Sequence, residues 1–127
     1  MPKESQIVVL ITCVAPKVRF ATEAKELYTG ELFQQLWSYG QLLHPDQVFI
    51  LSGKHHLLHP DTIIEPYDVN LNEASEDDLR HWSKKVVTQL SQCADLRQDT
   101  FYILANETYR KYLTDKIQNY RVPIHIL

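Results

Sequence analysis

The hydrophobic positions along the chain form three short, continuous apolar runs. They are Ile7–Cys13, Asp46–Gly53 and Asp99–Ala105. Runs of this length that are rich in β-branched residues are typical of strands buried on both faces. A fourth run, Arg121–Leu127, has a similar character. The pattern therefore predicts four strands.

Between these runs, apolar residues recur at the spacing of amphipathic helices. One helix is predicted to begin near Gly30, with Thr29 as its cap. A second follows Ser75, where Asp78 three residues later forms a weak capping box. Asn106 is the predicted cap of a third helix, whose apolar face is expected to run as far as Ile117. The alternation of strands and helices predicts an α/β fold, a single three-layer domain with a mostly parallel four-stranded sheet and helices on both faces.

Two segments lie outside these elements and are interpreted as loops. The first runs from Ala15 to Glu26, where Pro16 blocks regular pairing. The second is the long stretch from Leu51 to Leu71, which begins at a strand end and carries three histidines in five residues. In open α/β sheets, sites form beyond the carboxyl ends of the strands. The second loop therefore begins where a site is expected.

Length and composition fit one globular domain that spans residues 1–127. The chain is 44% hydrophobic and 23% charged, and it contains no repeat, linker or low-complexity segment. Its net charge of −3 does not favour a broad surface for nucleic acid, although a local basic patch stays open. With three glycines, the chain has neither a dinucleotide fingerprint nor a Walker motif.

The cysteines and the amino terminus indicate the compartment. Cys13 and Cys93 do not make a disulfide framework, so a reducing interior is expected. The apolar run Ile7–Val14 is about half as long as a membrane span requires. We therefore expect a cytoplasmic protein with no membrane partner.

Cys13, Lys17 and Ser52 are the candidate catalytic residues, because they lie at or just after predicted strand ends. A thiol near a lysine has a lowered pKa and becomes nucleophilic, although Cys13 is also suited to be a small buried hydrophobe. Ser52 could act as a nucleophile with a histidine, or could simply donate a hydrogen bond to a ligand.

The histidines His55, His56 and His59 raise the question of a metal site. Adjacent histidines on an extended chain point to opposite sides, and no cysteine lies nearby to complete a zinc set. A polar loop is the favoured interpretation. We predict neither a metal nor a cofactor.

Tyr67 and Asp68 each have two interpretations that the sequence leaves open. Tyr67 could stack on a base or sugar, or could fill the core with its hydroxyl hydrogen-bonded. Asp68 could anchor a ligand or act as an acid or base, but capping a turn is favoured.

Four sequence elements together resemble a known pattern. They are Cys13 with Lys17; Ala24, Leu27, Tyr28 and Phe33; Leu51, Ser52, Lys54, Leu57, Leu58 and Pro60; and Pro66, Tyr67, Asp68 and Leu71. The set resembles a family of small uncharacterised bacterial and phage domains that is similar to the core of the YaaA peroxide-stress protein family. His55 and His56 replace a Tyr-Gly pair of that pattern. If the glycine serves a positive φ angle, His56 must adopt it or the loop must differ.

The resemblance implies a direction for function. YaaA-like proteins are associated with protection of DNA from oxidative damage and with nucleic-acid binding. The Cys-x-x-x-Lys start is also faintly similar to the core of archaeosine synthases, which handle a modified base in transfer RNA. Together these likenesses imply a ligand of nucleobase or nucleoside size. Family members commonly continue past the last strand, so a C-terminal extension is expected to be missing here.

Three hypotheses follow. In the first, a pocket binds or processes a nucleobase or nucleoside with Cys13, Lys17 and Ser52, and the ligand-binding candidates are Tyr28, Thr29, Lys54, His55, Tyr67 and Asp68. In the second, a non-catalytic stress-response module binds nucleic acid through Lys17, Arg19, Lys25 and Lys54. In the third, the motif only defines the fold. The sequence leaves enzymatic activity and oligomeric state open.

Overall fold

A computed structural model describes residues 5–12, 19–28, 30–67 and 71–123. Its strands are β1 (Ile7–Thr12), β2 (Thr22–Glu23), β3 (Gln47–Ser52), β4 (His56–Leu58), β5 (Ile63–Ile64), β6 (Thr100–Leu104) and β7 (Tyr120–Arg121). Its helices are α1 (Ala24–Leu27), α2 (Glu31–Leu42), α3 (Glu76–Ser91) and α4 (Glu107–Arg110), with one 3₁₀ turn at Leu71–Glu73.

Five strands form the main sheet, in the order β4-β3-β1-β6-β7. β1 pairs in parallel with β3 and β6, and β7 continues the parallel arrangement beside β6. β4 is an antiparallel edge strand, joined to β3 by a tight turn. β2 and β5 form a separate antiparallel pair. The parallel strands therefore bring their carboxyl ends to one edge of the sheet.

β1 is the centre of the core. The side chains from Val8 to Ile11 have no exposed surface. Because successive side chains of a strand point to opposite faces, both faces of β1 are covered. α2 comes close on one of them, where a Cβ added to Gly40 would lie 3.1 Å from Val9 Cγ1. Glycine at this position allows the helix to pack directly on the strand.

Two predicted helix caps are confirmed. The Ser75 Oγ accepts a hydrogen bond from the Asp78 amide (3.1 Å), and the Asn106 Oδ1 accepts one from the Tyr109 amide (3.2 Å). Each side chain satisfies an amide that the first helical turn leaves unpaired. α2 begins after Gly30 without a side-chain cap. Thr29, its predicted cap, lies outside the described residues.

The mixed α/β class and the three long strands are confirmed, but the sheet has five strands where four were predicted. The additional strand, β4, lies in the histidine-rich stretch that was interpreted as a loop. β2 and α1 occupy part of the other predicted loop. The third helix ends at Arg110, earlier than predicted, and turns follow it. The three-layer arrangement stays a prediction.

The fourth predicted strand, Arg121–Leu127, overlaps β7 at Arg121 alone; Val122 and Pro123 are not in a strand, and residues 124–127 lie outside the described part. None of the helices in the described ranges combines the length and the apolar character that crossing a membrane requires.

Two aspartates hold the start of β1 from opposite sides. Asp99, which is 3% exposed, accepts the Gln6 amide at Oδ1 (2.8 Å) and the Asp95 amide at Oδ2 (2.7 Å). We expect Asp99→Ala to lower the free energy of unfolding by about 3 kcal/mol, because two backbone donors lose a charged acceptor. Urea denaturation measures this change.

Asp46→Ala is the matched control. The exposed Asp46 carboxylate accepts one bond, from the Ile7 amide (2.8 Å), and water can replace it. Its loss should stay below about 1 kcal/mol. Equal losses for the two variants would contradict the assignment of Asp99 as the principal anchor.

Candidate functional site

Ser52, the last residue of β3, is fully buried, and outside the strand pairing it takes part in three hydrogen bonds with other described residues. Its hydroxyl donates to the Tyr67 hydroxyl (2.8 Å) and accepts from the His55 amide (3.0 Å). Its backbone carbonyl accepts the indole N–H of Trp82 on α3 (2.8 Å). Ser52 therefore joins the strand end, the β3–β4 turn and α3 at one point.

The Tyr67 hydroxyl extends this cluster to α1. It forms a short hydrogen bond with the hydroxyl of Tyr28, the residue that follows α1. Tyr28 is fully buried, and its ring packs 5.0 Å from the ring of Phe33. We call Tyr28, Ser52 and Tyr67 the hydroxyl network. Linked hydroxyls of this kind polarise one another and specify a single arrangement.

His55 borders the network and has an unusual environment. Its ring meets the Tyr67 ring edge-on, with centroids 5.3 Å apart and planes at 85°. Its Nε2 atom is buried and has no hydrogen-bond partner among the described residues. Burial, with a smaller contribution from Lys54, lowers the pKa of His55 below its ordinary value. The ring is therefore neutral at pH 7.

His56 fixes the turn into β4. Its φ angle is 63°, in the left-handed region, so the histidine adopts a positive φ at the position where the resembled pattern has glycine. Such a conformation is strained for a residue with a side chain. Burial, followed by the charge of Lys85, lowers the pKa of His56. The turn that places His55 beside Tyr67 therefore requires a strained backbone conformation at His56.

The structure brings Tyr28, Ser52, His55 and Tyr67 together, and leaves Lys54 exposed in the turn beside them. Cys13, Lys17, Thr29 and Asp68 lie outside the described residues. Their predicted roles therefore stay predictions.

The Ser52 hydroxyl does not use an imidazole as its acceptor, because its proton goes to Tyr67. This arrangement favours the interpretation of Ser52 as a hydrogen-bonding residue over that of a nucleophile activated by histidine.

Trp82 is a residue that sequence reasoning did not place at the site. It belongs to the buried face of α3, and its spacing indicates only a core residue. The indole N–H, which a buried tryptophan must direct to an acceptor, was the available signal.

Metal binding gains no support within the described ranges, where no three histidine, cysteine, aspartate or glutamate side chains lie close enough to hold an ion. His59 is exposed, and its Nδ1 accepts the Asp61 amide (3.1 Å).

Among the described residues, the buried groups of the site therefore offer uncharged hydrogen bonding, and Lys54 is the charged side chain beside them. Hydroxyls both donate and accept, and a neutral imidazole does one at each nitrogen.

Strain at His56 predicts that glycine is better tolerated there. We expect His56→Gly to raise the free energy of unfolding by about 0.5–1 kcal/mol, because relief of the left-handed strain exceeds the added backbone entropy of the unfolded chain. His59→Gly, at a position with ordinary φ, should lower it by about 0.5–1 kcal/mol. Urea midpoints compare the two, and destabilisation by both would refute strain at His56.

The lowered pKa values of His55 and His56 predict a pH dependence of stability. Both histidines bind protons more readily in the unfolded chain, where their pKa values are about 6.5, than in the folded chain. Their contribution to the free energy of unfolding is therefore present in full above pH 6.5, and it is lost as the pH falls through the lower pKa values of the folded state. The double variant His55→Asn with His56→Asn should lose less stability than the wild type between pH 7.5 and 5.5. Equal losses would show that neither histidine contributes.

Comparison with curated proteins and with solved structures gives no match for this chain. One family model matches residues 8–127, nearly the whole sequence. The similarity to YaaA proteins stays a prediction beside that match. The chain belongs to DUF6884, a family of unknown function.

Proposed function

We propose that the carboxyl edge of β3 binds an uncharged, planar heterocycle, a nucleobase or nucleoside. The observation that supports this most directly is the buried His55 Nε2 without a hydrogen-bond partner among the described residues, beside the hydroxyl network. An unsatisfied buried polar atom costs about 1–3 kcal/mol. Native proteins tolerate that cost where a water or ligand takes the position.

The groups around this position favour an uncharged ligand. His55 is neutral at pH 7 because burial lowers its pKa, and its neighbours in the network are hydroxyls. Among the described residues, no buried charge here would compensate a charged ligand for the hydration that it loses. The edge of a nucleobase carries donors and acceptors in alternation, and the neutral imidazole of His55 can pair with one of them through Nε2.

Aromatic surfaces add to this preference. The rings of His55 and Tyr67 are each partly exposed and nearly perpendicular to each other. A planar ligand could therefore stack on one ring while its edge contacts the face of the other. Tyr28 is fully buried and packed on Phe33. Its role in this proposal is therefore to position the Tyr67 hydroxyl, in place of the direct ligand contact expected from the sequence.

The described residues support ligand binding, and any reaction would use residues outside the described part. If the ligand is processed, Cys13 activated by Lys17 is the candidate nucleophile. Lys17 or Lys54 would then stabilise a developing anion. The resemblance to YaaA proteins and, more faintly, to archaeosine synthases supports the same ligand class.

The alternative is a nucleic-acid or stress-response module. It would use the basic residues Lys17, Arg19, Lys25 and Lys54, and the environment of Lys25 does not favour it. The Lys25 ammonium lies 2.7 Å from the Asp61 carboxylate and 3.7 Å from that of Glu23. A lysine already compensated by two carboxylates contributes little attraction to phosphate.

A thermal-shift titration with free bases and nucleosides tests the proposal. We expect saturable stabilisation of the wild type that does not depend on salt, because an uncharged ligand binds the native state by mass action. His55→Leu should weaken binding by about tenfold or more, the effect of losing one well-placed hydrogen bond.

His59→Leu is the matched control, since it removes an exposed imidazole from the same segment and should leave binding unchanged. Absence of stabilisation by every base and nucleoside, or equal binding by the wild type and His55→Leu, would refute the proposal.

A further inference from the structure

The exposed side of α3 carries four cationic or titratable groups within six residues: Arg80, His81, Lys84 and Lys85. Residues four apart on a helix are neighbours, so His81 adjoins Lys85, and Arg80 adjoins Lys84. Between this side of α3 and β4 lies a cavity of about 610 Å³, which we call the α3 groove. Its lining residues are His56, His81, Lys84, Lys85, Thr88 and Gln89.

Among the described residues, no carboxylate forms an ion pair with Lys84 or Lys85. Within the described ranges, the ion pairs of this region use Arg80 with Asp77 and Lys111 with Glu76. Lys84 and Lys85 take part in none of the ion pairs found there. The charge of Lys85 also acts on His56, whose pKa it helps to lower. These two lysines therefore bring positive charge to the groove that no ion pair among the described residues offsets.

The wall of the groove is fixed by hydrogen bonds. The Leu57 amide of β4 donates to the Gln89 Oε1 (3.0 Å), and the Trp82 indole donates to the Ser52 carbonyl (2.8 Å). These bonds hold α3 against the β3–β4 hairpin, which carries His56 at a defined angle. The groove is thus present before any ligand binds, which limits the entropy lost on binding.

The basic surface continues beyond the groove. A second cavity of about 360 Å³ shares Lys84 and Thr88 with it and adds Arg80 and Lys116. Asp115 is the acidic residue that lines this second cavity. The cations of the two cavities that are in no ion pair among the described residues are Lys84, Lys85 and Lys116. Several separated cations suit an anion whose charge is spread along a chain, rather than one carboxylate. Lysine is a common partner of phosphate in such sites.

We infer that the α3 groove binds the phosphate groups of a phosphate-chain ligand, with Lys84 and Lys85 as the principal contacts and His56 and His81 at its sides. Both a free polyphosphate chain and a nucleic-acid backbone present this chemistry. The groove does not use the hydroxyl network, so phosphate binding here is independent of the proposed nucleobase site. It also differs from the basic patch expected from the sequence, of which Lys25 is neutralised by Asp61.

The test measures binding of two probes to the full chain. Tripolyphosphate is titrated by calorimetry, and a fluorescein-labelled twelve-nucleotide oligothymidine is titrated by anisotropy, each at several salt concentrations. We expect saturable binding that weakens with salt. Lys84→Gln with Lys85→Gln should reduce affinity at least tenfold, and should lower the salt slope for the oligonucleotide by about 1.4, at about 0.7 for each lost phosphate contact.

The control variant is Arg97→Gln with Arg121→Gln, which makes the same change in net charge at exposed positions. Arg121 lies in β7, at the opposite edge of the sheet from β4. This variant should bind within twofold of the wild type. Tyr67→Phe should also retain phosphate binding, which separates this inference from the fate of the nucleobase proposal.

Each result decides the inference. Binding of both probes, or of one alone, with loss confined to the Lys84 and Lys85 variant supports it and identifies the source of the phosphate. Binding of neither probe, or equal loss in the arginine control, would overturn it.

Discussion

The burial of β1 between β3 and β6 is the constraint on which the rest of the structure depends. A strand with both faces covered has no water to satisfy its backbone groups, so it must pair along both edges. The two neighbours, β3 and β6, are parallel to β1, so the carboxyl ends of all three strands lie at the same end of the sheet, its carboxyl edge. Ser52 occupies that edge because β3 ends there. The position of the candidate site follows from how the core is closed.

The candidate site is an extension of this scaffold. Ser52 is held through its carbonyl by Trp82 and through its hydroxyl by the His55 amide and Tyr67. Polar groups fixed by rigid elements keep a defined geometry, which recognition of a small ligand requires. α3 supports the site from its buried side and carries the basic groove on its exposed side. One helix therefore organises two surfaces of different chemical character.

Sequence patterns predicted the features that depend on neighbouring residues. The strands β1, β3 and β6 follow from continuous apolar runs, and the caps Ser75 and Asn106 follow from side-chain oxygens at helix starts. β4 escaped prediction because it has three residues, and its pairing depends on a turn in which His56 has positive φ. The third helix is shorter than its spacing suggested, although Leu113 and Ile117 remain buried. In residues 111–117, turns rather than a continuous helix bring these two apolar side chains into the core.

At the site, residue types identified Ser52, Tyr67 and His55, but their relations come from the tertiary structure. The Trp82 indole reaches a carbonyl thirty residues away in sequence, and Lys25 is neutralised by Asp61 thirty-six residues away. No local pattern encodes either contact. The α3 groove could not be predicted from composition either, because the chain as a whole has more acidic than basic residues and a net charge of −3.

The pairing of β1 also has a consequence for synthesis on the ribosome. The start of β1 bonds to Asp46, thirty-nine residues later, and the residue before it bonds to Asp99, ninety-three residues from it. β1 is synthesised before β6, so one edge of β1 stays unpaired until β6 has been made. An unpaired β-branched edge is a template for aggregation, and contacts distant in sequence form slowly. A nascent chain that stalls before residue 100 would expose this edge and become a substrate for chaperones that recognise extended apolar segments.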